Sequence, residues 1–203
     1  MAGVAAYATC SDCGATFGVP LARFTTLRRW TPTRCIFCAA GSRDALPGLD
    51  ALPASGSDAL VFIGSNCLRN PGPGGWGLVH TLGGEPVGEC SGKSAQTTHN
   101  RMELTAVLRA IRRFAPGDAA TVYSRNTFVV QTATVWSRAW AGRGWTRRSG
   151  PISNLDLVQQ LYAELQAHPG VRVELLPFQG RHEWAVRAEA LALTAAKRAG
   201  GAA

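Results

Sequence analysis

From Ala59 onward the chain alternates short apolar runs with stretches in which apolar residues return every three to four positions. The first pattern predicts strands and the second amphipathic helices. Ala59–Ile63 is a continuous apolar run. Trp76–Leu82 and Val87–Ser91 flank the turn Gly83-Gly84-Glu85-Pro86, and Thr121–Tyr123 and Val171–Leu176 read as two further strands. Helical spacing fits near Asn100–Phe114, Thr127–Trp140, Leu155–Ala167 and Glu183–Arg198. Three strands followed by alternating helices and strands predict an α/β fold with a mixed sheet covered by helices. Within the first helix, Glu103 shares a stripe with Val107, Ala110, Ile111 and Phe114, so a carboxylate is predicted to point inward.

Before Ala59 the pattern is different. Residues 41–58 are rich in Gly, Ala, Pro and Ser without an amphipathic period and read as a flexible linker. Residues 1–40 hold Cys10-x2-Cys13 and Cys35-x2-Cys38, a spacing that brings four thiolates around one tetrahedral Zn²⁺. The expectation is a small module with a structural zinc on Cys10, Cys13, Cys35 and Cys38; two disulfides are the alternative. Cys67 and Cys90 fall outside the pattern and read as ordinary buried thiols. Between the knuckles, Phe24 and Trp30 either pack over the metal or join Arg23, Arg28, Arg29 and Arg34 in a basic, aromatic surface. The remaining division is a domain over residues 59–198 and a tail over residues 199–203.

Charge narrows the partner. The 21 Lys and Arg residues outnumber the 13 Asp and Glu residues, for a net charge of +8, and Lys93 and Lys197 are the only lysines. Such a balance favours a polyanion. A GC-rich genome would explain arginine over lysine, though not the excess of cations over carboxylates. No apolar run approaches the ~20 residues of a membrane span. MAGVAAYATC lacks a basic start and a continuous apolar core, so the expectation is an intracellular protein without a secretory leader.

Three motifs then carry a family resemblance: GSNCLRNPGPGGWG (Gly64–Gly77), TTHNRMEL (Thr97–Leu104) and VWSRAWAGRGWTRRSGPISNLDL (Val135–Leu157). In order and spacing they resemble the type 1, bacterial-type ribonuclease H family. The resemblance implies a mixed five-stranded sheet flanked by helices. It also implies a site in which four acidic side chains hold two Mg²⁺ ions, one activating water and one stabilising the leaving oxygen. Glu103 matches the catalytic glutamate, and Glu189, in RAEALA (Arg187–Ala192), matches the last aspartate on a helix face shared with Ala185, Val186 and Leu193. The other two positions depart from the family. Gly64 stands at the first aspartate and Arg125 at the second, and a guanidinium brings positive charge where a dication would sit. His182 is the candidate for the family's loop histidine, with a surface or capping role as the alternative.

The resemblance also implies hybrid contacts through Asn70, Thr98 and Asn100, although asparagines in such places often serve turns and caps. The third motif matches a basic protrusion, with Arg138, Arg143, Arg147 and Arg148 set for phosphates and Trp136 and Trp140 for stacking or packing. The resulting expectation is a nucleic-acid-binding protein, for RNA–DNA hybrid or duplex RNA, that has lost its two-metal centre and carries zinc but not Mg²⁺. At that centre a Glu103–Arg125 ion pair is predicted, with spare donors on Arg125 for a phosphate. The alternatives are a weakly active ribonuclease H and a structural subunit of a ribonucleoprotein or virus particle, with protein subunits as partners.

Overall fold

The computed structural model describes two N-terminal strands, residues 4–9 and 16–20, and residues 59–176 and 182–201. In chain order the elements are β1 (Val4–Thr9), β2 (Thr16–Pro20), β3 (Ala59–Cys67), β4 (Gly72–Leu82), β5 (Glu85–Thr97), α1 (His99–Ile111) and β6 (Ala120–Ser124). There follow α2 (Thr127–Gln131), a π-helical stretch (Thr132–Trp136), α3 (Ser137–Ala141), α4 (Leu155–Ala167), β7 (Val171–Leu175) and α5 (Glu183–Ala199). The sheet order is β1-β2-β5-β4-β3-β6-β7. β3, β4 and β5 are antiparallel, and β6 and β7 join parallel to β3. These five strands are the mixed sheet that the sequence predicts. β1 and β2 extend it, β2 pairing with β5 through Phe17 and Cys90.

The β4–β5 hairpin is shorter than the predicted four-residue turn, because Leu82 already pairs with Glu85. Gly83 and Gly84 alone make the loop, at φ 57° and 84°, the left-handed pair that a two-residue hairpin loop with matching twist requires. A register shift between His80 and Thr81 then admits Pro86 to the ladder.

The two faces of the sheet are built differently. On one, α1 buries Leu104, Val107, Leu108 and Ile111 against Val61, Ile63, Leu78 and Val122. Arg101 makes a bidentate bond to Asp156 at 3.0 and 2.6 Å, tying α1 to α4; that guanidinium holds the Asp156 carboxyl below its usual range. On the other face α5 lies directly on glycines. A Cβ at Gly64 would come within 2.6 Å of the Glu189 backbone nitrogen, and Cβ atoms at Gly75 and Gly77 would meet the carbonyl oxygens of Ala192 and Ala188. Only small side chains fit such an approach, and the buried face of α5 is Ala185, Ala188, Ala192, Ala195 and Ala196. The predicted face of α5 is corrected accordingly. Val186 and Leu193 are exposed, and Glu189 sits at the edge of the contact with 44% of its side chain accessible. Arg187 adds a bidentate bond at 2.8 and 2.9 Å to the buried carboxylate of Glu89 on β5.

Candidate active site

β3 and β6 run parallel, and their C-terminal ends open a pocket lined by Ile63, Gly64, Ser65, His99, Glu103, Arg125, Asn126, Thr127, Phe128 and Glu189. Crevices beyond the carboxyl ends of parallel strands are where such sheets collect functional groups. The helices bring carboxylates from opposite sides of the sheet, α1 supplying Glu103 and α5 supplying Glu189.

Glu103 is 4% exposed and points inward, as its spacing predicts. Its partner is not Arg125. The hydroxyl of Ser124, itself fully buried, donates to Glu103 Oε1 at 2.7 Å and accepts the Asn126 backbone N–H at 3.0 Å. Asn126 Oδ1 caps α2 by accepting the Val129 N–H at 3.3 Å, while its Nδ2 donates to Asn100 Oδ1 at 2.9 Å. A buried carboxylate therefore finds its donor in a serine that a strand end and a helix cap hold from both sides.

Arg125 turns the other way and donates to Glu189 Oε1 at 2.6 Å, with both side chains nearly half exposed. The predicted Glu103–Arg125 ion pair is thus replaced by two separate pairs. The physical reason is alternation at the end of β6: Ser124 faces α1 and the core, so the next residue faces α5 and solvent.

The four-acid set for two dications does not fit this pocket, which offers two carboxylates, a position without a side chain and a guanidinium. No group of three or more His, Cys, Asp or Glu side chains suited to a metal ion occurs among the described residues. Cys10, Cys13, Cys35 and Cys38 lie outside the described residues.

The remaining candidates divide between scaffolding and surface. Asn70 Oδ1 accepts the His99 backbone N–H at 3.2 Å, and Thr98 caps α1 by accepting the Arg101 N–H at 3.3 Å. With Asn100 bonded to Asn126, all three hold the start of α1 in place, the cap role that the sequence left open. Trp140 is 8% exposed and belongs to the core, and Trp136 rests between Phe128 and Trp140 at ring distances of 5.6 and 6.0 Å. The indoles of the basic segment are packing residues. Arg138, Arg143 and Arg148 are exposed and Arg147 is half-buried. Arg143 and Arg147 each give Nε–H to a local carbonyl, of Ala139 and Gly150.

His182 does not enter the pocket. Its ring stacks on Phe62 at 4.1 Å and its Nδ1 accepts the Trp184 N–H at 3.4 Å, so it caps α5. The pocket's histidine is His99, whose ring nitrogens lie 3.3 and 3.5 Å from Ser65 Oγ. His99, Ser65, Ser124 and Asn126 were not singled out in the sequence. Ser124-x-Asn126 ahead of a helical run is the pattern of a strand end followed by an Asn cap, and it signals two of them.

This geometry meets its relatives in a family model described as RNase H, which matches residues 57–177. The ribonuclease H of Methylorubrum extorquens is 42% identical over 106 residues, 51% of this chain and 45% of the relative. That of Chromobacterium violaceum is 36% identical over 133 residues, 65% of this chain and 90% of the relative. Among solved structures, LC9-RNase H1, a type 1 RNase H with the type 2 active-site motif, superposes with a TM-score of 0.60 at 30% identity. The match covers 69% of this chain and 72% of that one. The chain belongs to the ribonuclease H family. It spans less than half of one curated relative and nine-tenths of another. The expectation of a protein that binds without cutting, and is therefore not an enzyme, is overturned by these relatives. Chains 36% and 42% identical to it over the matched segments are ribonucleases H.

Proposed function

We propose that this chain is a ribonuclease H that hydrolyses the RNA strand of RNA–DNA hybrids in the pocket between β3, α1 and α5. The observation that supports this most is the convergence of Glu103 and Glu189, from opposite faces of the sheet, on one pocket at the ends of β3 and β6. The relatives named above point to the same activity. Gly64 and Arg125 stand where the resemblance implies aspartates, so no step is assigned to a metal pair. Arg125 is instead the group for the reacting phosphate: Glu189 accepts from its Nη1, and a guanidinium has five N–H donors in all.

The partner surface is the segment that carries Arg138, Arg143, Arg147 and Arg148, three of them exposed around α3. Arginines in that position hold phosphates without reading sequence. A structural Zn²⁺ on Cys10, Cys13, Cys35 and Cys38 completes the proposal. No helix among the described residues is long and apolar enough to cross a membrane. The functional test is cleavage of one RNA sequence presented as hybrid, as duplex RNA and as single strand. Products from the hybrid alone support the proposal, and an intact hybrid under every condition defeats it.

A further inference from the structure

We propose that His99 is the proton-transferring residue of this pocket, with Ser65 as its positioning residue. The proposal rests on the nuclease reading above. Hydrolysis of a phosphodiester needs a group that takes a proton from the attacking water, and a group that titrates near neutral pH does this best. The titratable and charged groups facing the pocket are His99 and Glu103 from α1, Arg125 after β6, and Glu189 from α5; β3 contributes Ser65 and no charge.

Three of these four are already engaged. Glu103 is buried beneath the Ser124 hydroxyl, Glu189 is paired with Arg125, and a guanidinium does not give up its proton. His99 is instead exposed, and its partner is a neutral hydroxyl. Its ring stands within 3.3 Å of Ser65 Oγ, on the side of β3 that faces α1. It lies one helical turn before Glu103, so the two share a face of α1. Its backbone N–H is fixed by Asn70.

In the assigned step, neutral His99 takes a proton from water as the water oxygen bonds to phosphorus. The phosphorus bond to one ribose oxygen breaks, and that oxygen leaves with the proton returned by the imidazolium. The products are a phosphomonoester and a hydroxyl, with no change of oxidation state. Arg125 faces the negative charge that gathers on the phosphate.

The test uses the full chain and a hybrid labelled on its RNA strand. His99→Gln is expected to lower kcat about a hundredfold or more, with KM and Tm at wild-type values and the acid limb of the pH–rate profile flattened. Added imidazole should restore part of the rate to His99→Ala and none to Glu103→Gln. Ser65→Ala should displace the acid limb with a smaller loss of rate. A His99→Gln variant that cuts at the wild-type rate with its acid limb intact overturns the assignment and leaves the nuclease reading standing. A wild-type protein that binds hybrid and never cuts it overturns that reading, and the role of His99 with it.

Discussion

A methyl group at Gly64 would lie 2.6 Å from the Glu189 nitrogen and 2.8 Å from the Ala188 carbonyl carbon, both fixed backbone atoms of α5. Overpacking of this kind costs about 1–3 kcal/mol, so Gly64→Ala should lower Tm in thermal unfolding. Gly64→Asp should do the same, because α5 must move before a carboxylate can enter. Ser124 is the complementary case. Removing its hydroxyl leaves buried Glu103 without that donor, and Ser124→Ala should cost about 1–3 kcal/mol by denaturant titration. His80 gives a pH signature. It is buried against Phe114, neither ring nitrogen has a hydrogen-bond partner among the described residues, and burial, with Arg113 nearby, pushes its pKa down to about 3. The unfolded chain takes up that proton near pH 6.5 and the folded chain only near 3. Stability is therefore unaffected above about pH 6.5 and falls with acid between those values, by about 1.4 kcal/mol per pH unit from this group. His80→Leu should lose less stability than wild type between about pH 6 and pH 4; equal slopes would contradict the assignment.

At the scale of elements, the segment from α2 to Arg148 separates two jobs that its sequence interleaves. Trp140→Ala should cost about 3–5 kcal/mol, as removal of a buried aromatic does. Replacing Arg138, Arg143, Arg147 and Arg148 with alanine should leave Tm nearly unchanged. It should flatten the dependence of log affinity on log salt by about 0.7–0.9 for each phosphate no longer neutralised. The opposite pattern, a stable Trp140→Ala and an unfolded arginine variant, would reverse these roles. Strands and helices of the domain were legible because period-2 and period-3.6 patterns survive burial on one face. The face of α5 was not legible: glycines on β3 and β4 select alanine, and an alanine-rich helix carries little contrast between its sides. The Glu103–Arg125 pairing failed for a related reason. Spacing along α1 shows that Glu103 points inward, but which neighbour of β6 meets it depends on where the strand ends, and that falls between Ser124 and Arg125.

For the whole molecule, the family was legible in three motifs in register, while the chemistry was not, because Gly64 and Arg125 were read against the resemblance alone and that reading led to a protein that binds without cutting. The described strands β1 and β2 show the N-terminal segment adding to the β5 edge of the sheet, a placement that Cys spacing alone does not imply. If Cys10, Cys13, Cys35 and Cys38 bind zinc, metal analysis should find about one zinc per chain and Cys10→Ser should release it. The central claim concerns the pocket at the other end of the sheet order, and single-turnover kinetics on an RNA–DNA hybrid test it most directly. Wild-type protein is expected to cut the RNA strand and leave the DNA strand intact, and Glu103→Gln to lose the activity while still binding the hybrid. Hybrid bound by the wild type and recovered uncut, or cut equally well by Glu103→Gln, would contradict it.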